Sequence, residues 1–207
     1  MTRTQGLLLD ILTPVRDIFL SRMLEEIAAA LDRNHEVQTD VVRREETGGA
    51  LDRTGPFKLP VRADLATDTR WGRKFYDIDD DLMVEFDPLV TTMPKGGEVQ
   101  ISPFRWKHLQ VDVRIAQGRA PDWQPLRRWY LEGFQPRFDE DTPEFQCVLH
   151  RLVGPSGNGP GFRFEIDLGT ASVDAIPDLL EALERCGASR VMLFGADGAQ
   201  RSAAQPA

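Results

Sequence analysis

The stretch from Lys107 to Gly195 decides the fold, and its two clearest segments read KHLQVDVRIA (107–116) and FRFEIDLG (162–169). In both segments apolar and polar residues alternate one by one, which is typical of a strand with one buried face. The apolar set consists of Leu109, Val111, Val113 and Ile115 in the first segment and of Phe162, Phe164, Ile166 and Leu168 in the second. The two segments therefore predict strands that bury the same face of one sheet.

A helical pattern follows each of these strands. The first helix is expected over 122–134, with Asp122 as its N-cap and an aromatic-rich buried side. The second ends before Gly187, because glycine readily adopts the left-handed conformation that closes a helix. Further strands are expected at 145–153 and 190–195. The order is then β-α-β-β-α-β, which defines a split βαβ, or ferredoxin-like, unit.

The N-terminal half begins with a predicted helix. Thr13 and Pro14 fit the N-cap and the first helical position, because proline has no N–H to leave unsatisfied there. The helix is expected to end near Arg33. Its apolar residues recur every four positions and predict one face buried against a sheet: Val15, Phe19, Met23, Ile27 and Leu31.

Additional antiparallel strands are expected between this helix and the C-terminal unit. Alternation and flanking turn residues place them at 35–43, 57–65, 82–90 and 97–104. The whole chain is therefore predicted to have an α+β fold. A helix-plus-strands lobe (1–106) packs with the split βαβ lobe (107–195) as one body, and a disordered tail follows (196–207).

The composition is that of an acidic globular protein. The chain carries 33 acidic and 25 basic residues, a net charge of −8, and 41% hydrophobic residues. This balance disfavours nucleic acids and anionic membranes as partners, since both repel a negative surface. No secretory signal or membrane-spanning run is recognisable, and Cys147 and Cys186 lack CxxC spacing. We therefore expect a cytoplasmic protein with reduced, buried thiols and no nucleic-acid or membrane partner.

The segment Thr69–Asp81 mixes aromatic, basic and acidic residues and is predicted to be a loop. Trp71 and Tyr76 lie among basic residues, and Asp79 and Asp80 belong to the acidic run that follows. Basic residues beside aromatics can bind nucleic acid, but the acidic run offsets them here. The acidic run lacks the glycine and the final glutamate of an EF-hand loop, so only an irregular cation site stays open.

The polar face of the predicted sheet holds the candidate catalytic residues. It is formed by His108, Gln110, Asp112 and Arg114 on one strand and by Arg163, Glu165 and Asp167 on its neighbour, with His150 one strand away. A histidine beside carboxylates can act as general acid and base or bind a metal, which makes His108, Asp112 and Glu165 the candidate catalytic group. The alternative is a solvated face with cross-strand ion pairs, such as Arg114 with Glu165.

Recognisable catalytic, metal-binding and nucleotide-binding motifs are missing. The glycine-rich run 154–161 has no GK[ST] and precedes a strand, which favours a hairpin loop over a phosphate loop. We therefore predict a non-catalytic accessory protein, regulatory or neutralising, that binds another protein through acidic and aromatic surface. The expected binding residues are Arg114, Arg163, Asp167, Trp71, Tyr76, Asp79 and Asp80, with a further acidic run at 139–144.

The alternative hypothesis is a small-molecule enzyme, with or without a metal, that uses the His/Asp/Glu/Arg cluster on the open sheet face. The sequence predicts no cofactor. It leaves the oligomeric state open.

Overall fold

The computed structural model describes residues 3–33, 35–45, 49–69, 72–78, 82–93, 95–137, 145–157 and 159–195. Within these ranges the chain forms helices and strands in mixed order. The elements are α1 (Arg3–Asp32), β1 (Glu36–Val42), β2 (Arg53–Thr54), β3 (Leu59–Pro60), β4 (Arg62–Thr69), β5 (Gly72–Tyr76), β6 (Leu89–Thr92), β7 (Glu98–Ile101), β8 (Leu109–Ile115), α2 (Gln124–Gly133), β9 (Arg151–Ser156), β10 (Gly161–Asp167), α3 (Ala175–Arg185) and β11 (Ala188–Phe194). The protein is a mixed α/β structure with several sheets.

The largest sheet has six strands in the order β6-β7-β11-β8-β10-β9. Neighbouring strands are antiparallel except β7 and β11, which are parallel. The last six elements follow the predicted order of strand, helix, strand, strand, helix, strand. Strands β6 and β7 come from the N-terminal half, so both halves of the chain contribute to this sheet.

The alternation in β8 predicts correctly which side chains are buried, and in β10 it does so for Phe164 and Ile166 but not for Asp167, which is also buried. The apolar residues of β8 are buried and its polar residues are more exposed. Helices α2 and α3 bury their apolar stripes in the same core, among them Leu126 and Tyr130 on α2 and Leu179 and Leu183 on α3. Gly187 follows α3 with a φ of +95°, as expected for the residue that closes a helix.

The predicted start of the first helix is wrong. Helix α1 begins at Arg3 and contains Pro14 in its interior. A proline cannot donate to the carbonyl one turn earlier, but that carbonyl belongs to the exposed Asp10 and can be hydrated. Leu8 and Leu12 are buried in the core, and their packing stabilises the additional turns. Leu31, expected on the buried face, is 55% exposed.

A second sheet has the order β1-β4-β5, with both pairs antiparallel. The predicted strand at 57–65 is divided between β3 and β4. The predicted loop Thr69–Asp81 is wrong over 72–76, where pairing with β4 satisfies backbone groups that a loop would leave to water.

Two other predicted strands are shifted along the chain. Strand β9 begins at Arg151 instead of Phe145, and β6 begins at Leu89 instead of Leu82.

The predicted tail, 196–207, lies outside the described residues. Cys147 and Cys186 are both buried, and no disulfide bond joins them. No helix in the part of the chain that the structure describes is long and apolar enough to cross a membrane.

Candidate functional site

The open face of the six-stranded sheet is a ladder of exposed ion pairs, here called the open-face ladder. Arg163 lies opposite Asp112 and donates two hydrogen bonds to its carboxylate, at 2.6 and 2.8 Å. Glu165 lies opposite Gln110 and accepts a hydrogen bond from Arg151 at 2.8 Å. These are cross-strand pairs of the predicted kind. The expected pair of Arg114 with Glu165 does not fit the register, which places Arg114 opposite Gly161.

The candidate catalytic group is divided between two depressions. His108 lines a cleft of about 420 Å³, whereas Asp112 lines a shallower depression of about 470 Å³ together with Arg114 and Arg163. Glu165 is held by Arg151. Burial, together with the charge of Lys107, lowers the pKa of His108, so its imidazole is neutral at physiological pH.

His150 is not on the open face. It is completely buried, and both ring nitrogens are hydrogen bonded to carboxylates: Nδ1 to Asp64 at 2.9 Å and Nε2 to Asp40 at 2.7 Å. Lys107, also buried, donates to Asp64 at 2.5 Å and to the carbonyl of Ile78 at 2.9 Å. Asp40, Asp64, Lys107 and His150 form what we call the buried charge network.

Each member of this network comes from a different segment of the chain. Asp40 lies in β1 with a φ of +53°, and Asp64 lies in β4. Lys107 precedes β8 and His150 precedes β9. The network therefore joins the three-stranded sheet to the six-stranded sheet at a point where both are desolvated.

The remaining polar atoms around the two carboxylates are also paired. Asp40 accepts hydrogen bonds from Thr170 Oγ1 and from the backbone N–H of Gln146, each at 2.9 Å. Asp64 accepts one from the backbone N–H of Ile78 at 2.6 Å. A buried polar network stabilises a fold only when its members are satisfied in this way.

The carboxylates keep His150 charged. Burial alone would lower the pKa of His150, but its hydrogen bonds with Asp40 and Asp64 outweigh burial and raise the pKa to about 10. Burial alone would raise the pKa of Asp64, but the hydrogen bond and charge of His150, with Lys107, lower it to about 2. At neutral pH the network therefore contains an imidazolium between two carboxylates.

Among the described residues, one cluster has a geometry that could hold a metal ion. The protonation state of His150 argues against a metal there. Ligand atoms of Asp64, His150 and Asp167 lie within 4.8 Å of one another. A metal ion needs a ring nitrogen with a free lone pair. Both ring nitrogens of His150 already face carboxylates and carry protons, so the cluster suits a charge network better than a metal.

The cleft that His108 lines lies above this network, and we call it the basic cleft. Five cationic side chains and three carboxylates line it: Arg43, Arg53, Arg62, Lys107 and Arg151, with Asp52, Asp77 and Asp167. The larger groove between α2 and α3, of about 830 Å³, has the opposite balance, with more carboxylates than arginines. The lining of the basic cleft therefore has more cations than carboxylates on an acidic chain, although Lys107 and Arg151 also pair with Asp64 and Glu165, which do not line it.

The arginines of the basic cleft retain hydrogen-bonding capacity. Arg43 pairs with Asp77 at 2.5 Å and Arg151 with Glu165 at 2.8 Å, each through Nη2. The Nε atoms of both Arg43 and Arg151 are buried and have no hydrogen-bond partner. Buried donors of this kind are costly unless a ligand or water accepts from them.

Asp167 lies at the floor of the basic cleft and not on the exposed face where the sequence placed it. The residue is 5% exposed, and one carboxylate oxygen accepts from the backbone N–H of Gly169 at 2.9 Å. Burial raises the pKa of Asp167 to about 6, against the opposing effect of the His150 charge. Its carboxyl group therefore exchanges protons close to neutral pH.

The predicted aromatic and acidic binding residues have different outcomes. Tyr76 is 43% exposed and lies on β5. Trp71, Asp79 and Asp80 lie outside the described residues, as does the acidic run at 139–144. Their role in binding stays a prediction.

Of the residues that line the basic cleft, sequence reasoning singled out His108 and Asp167 but missed the arginines. Arg43, Arg53, Arg62 and Arg151 come from separate segments of the chain, and no local pattern connects them. One signal was available for the network below: His150 stands in an otherwise apolar run, with Val148, Leu149 and Leu152 around it. A titratable residue in such a run is expected to be buried with partners.

The chain was compared with protein-family models, with curated proteins and with solved structures, and none of the three comparisons found a match.

Proposed function

We propose that this chain is a binding protein whose basic cleft takes an anionic group of its ligand. The observation that carries this proposal is the excess of cations in a cleft on a chain with a net charge of −8. Solubility does not explain such a local reversal of charge. An anion in the cleft would also accept from the unpaired Nε atoms of Arg43 and Arg151.

The chemistry of the lining favours carboxylate or phosphate oxygens. Guanidinium groups bind both anions through short, charge-assisted hydrogen bonds, and these gain strength where water is partly excluded. Lys107 also lines the cleft, but it is buried and its charge is paired with Asp64. Arg62 forms part of the cleft wall, and its guanidinium is held in place because it donates to the carbonyls of Phe134 and Asp40.

Binding is favoured over catalysis by the state of the histidines. His150 holds both ring protons in hydrogen bonds, so it has no lone pair with which to accept a proton from a substrate. His108 and Asp112 line two different depressions. The enzyme hypothesis centred on His108, Asp112 and Glu165 stays a prediction, and binding is the simpler use of the cleft.

We further propose that the C-terminal unit is ferredoxin-like. Support comes from the order β11-β8-β10-β9 of its strands and from the two connecting helices that share one core. In this arrangement the open-face ladder and the basic cleft occupy the side of the sheet that α2 and α3 leave uncovered.

The proposal is tested by calorimetric titration with inorganic phosphate and with citrate. The expected result is binding that weakens with increasing ionic strength, because salt screens the interaction of exposed charges. The variants Arg43→Ala and Arg151→Ala are each expected to lower the affinity about tenfold, the typical value of a charged hydrogen bond.

Arg190→Ala is the matched control. Arg190 pairs with Glu98 at 2.9 Å and does not line the cleft, so its removal should leave the affinity unchanged. Absence of binding by both anions, or equal losses in all three variants, would contradict an anion site in the cleft.

A further inference from the structure

Strand β5 is an unusually exposed edge. All its residues, from Gly72 to Tyr76, are exposed, and the strand pairs with β4 on one side only. Within the described ranges no strand pairs with its other side. An unpaired strand edge presents backbone donors and acceptors that another extended segment can use.

This edge is continuous with the basic cleft. The chain passes directly from Tyr76 into Asp77 and Ile78, both of which line the cleft. Arg43 connects the two features: it pairs with Asp77, and its guanidinium carbon lies 6.0 Å from the centroid of the Phe75 ring. A ligand along β5 can therefore reach the arginines of the cleft.

The edge offers positive charge and aromatic surface together. Strand β5 carries Arg73 and Lys74 and has no carboxylate of its own. Arg73 donates two hydrogen bonds of 2.9 Å to Asp68 on β4, so among the described residues Lys74 is the cation of β5 that is left without an ion pair. Phe75 and Tyr76 are 37% and 43% exposed. Successive side chains of a strand point to opposite sides, so each side of β5 presents one cation and one aromatic ring.

The charges distinguish between two possible occupants. In the antiparallel register centred on Lys74, a second copy of β5 would bring the two Lys74 side chains together, and like charges directly opposite each other are destabilising. An acidic segment would instead pair a carboxylate with Lys74.

We infer that the ligand of the basic cleft is carried by another protein, as an extended acidic segment that pairs with the outer edge of Arg73–Tyr76 in β5 and places a carboxylate in the cleft. This inference rests on the proposed anion site and names its ligand class. Backbone hydrogen bonds to β5 supply affinity for any extended chain, and the arginines of the cleft select the acidic one.

The test uses a fluorescent peptide of alternating valine and glutamate, with inorganic phosphate as the small-anion probe. Fluorescence anisotropy measures peptide affinity, and hydrogen exchange measures protection of the β5 amides. The expected result is that the peptide slows exchange of the outward β5 amides by roughly tenfold or more, whereas phosphate does not.

Two sets of variants separate the contributions of the cleft and the edge. Arg43→Ala, and separately a Phe75→Ser/Tyr76→Ser double variant, should each weaken peptide binding about tenfold. Only Arg43→Ala should weaken phosphate binding. Val90→Ser is the matched control, because Val90 is an exposed residue on β6, an edge strand at the end of the other sheet.

Each other outcome overturns the inference in a recognisable way. If phosphate binds but the peptide neither binds more tightly nor protects β5, the cleft is a small-anion site and the peptide inference is wrong. The same holds if a peptide with N-methylated backbone, which cannot pair with a strand, binds equally well. Protection of β5 without peptide, together with dimers in sedimentation, would assign the edge to a second copy. If neither probe binds, the proposed function fails too.

Discussion

The buried charge network and the open-face ladder both consist of cationic side chains paired with carboxylates, in different surroundings. In the network, His150 and Lys107 meet Asp40 and Asp64 with almost no exposure to solvent. In the ladder, Arg163 meets Asp112 with half of the arginine side chain exposed. The distances are similar, so geometry alone does not separate the two.

Burial makes the difference between them. An exposed ion pair contributes about 0–1 kcal/mol, because water solvates both charges well when the pair is broken. A buried pair adds little by its presence, but the loss of one partner leaves the other charge desolvated and uncompensated. Similar hydrogen bonds are therefore expected to respond very differently to mutation.

The largest effect is expected from His150→Ala. Removing the imidazolium leaves Asp40 and Asp64 buried without their shared partner, which should cost about 3–5 kcal/mol of the free energy of unfolding. Urea denaturation at neutral pH measures this loss. His108→Ala, a half-buried histidine outside the network, serves as the control and should cost much less.

Gly169→Ala is expected to disturb the same network through packing. A Cβ at this position would lie 2.2 Å from Cδ2 of His150, and the φ of +52° is unfavourable for alanine. The combined strain should cost roughly 2–4 kcal/mol in thermal or urea unfolding.

Gly118→Ala separates these two causes. Gly118 also has a positive φ, of +77°, but no atom lies within 4 Å of the added Cβ. The cost there should be only about 1 kcal/mol. Equal costs at the two glycines would mean that the contact with His150 adds nothing to the destabilisation at Gly169.

The pH dependence of Asp167→Asn tests the floor of the basic cleft. Because the pKa of Asp167 is raised to about 6 in the folded state from 3.8, its stabilising contribution is complete below pH 3.8 and is lost as the pH rises through about 6. Asparagine stays neutral and avoids this loss.

Between pH 4 and pH 7, the stability of Asp167→Asn relative to the wild type should therefore increase by roughly 1–3 kcal/mol. Urea denaturation at a series of pH values measures this. A difference that stays constant over the range would show that the carboxyl titrates at its ordinary pKa.

The smallest effect is expected in the open-face ladder. Arg163→Ala removes an exposed pair with Asp112 and should cost less than about 1 kcal/mol, with a further decrease at high salt. Urea denaturation at low and high ionic strength measures both values. A cost as large as that of His150→Ala would remove the contrast between the two regions.

The sequence was a good guide wherever the signal is local. The alternation of β8 and β10 and the stripes of α2 and α3 predict both the elements and their buried faces. Positions where tertiary packing competes with local preference were predicted less well. Pro14 resembles a helix start, but the burial of Leu8 and Leu12 extends α1 beyond it.

The candidate site was largely hidden from sequence reasoning. His108 and Asp167 were identified as candidates, but His108 was grouped with Asp112 and Glu165, and the expected pair of Arg114 with Glu165 does not fit the observed register. The arginines of the basic cleft come from segments without a shared pattern, and β5 lies in a segment that reads as a charged loop. Only pairing with β4 makes that segment a strand.

By itself the sequence determined which side chains of the C-terminal unit face the core, because the spacing of apolar residues sets the buried side of a strand or helix. The tertiary structure alone decided where the charges meet. Asp40 and His150 are separated by 110 positions in the chain but lie 2.7 Å apart. Such a contact depends on the packing of two sheets, and a pattern confined to neighbouring residues carries no information about it.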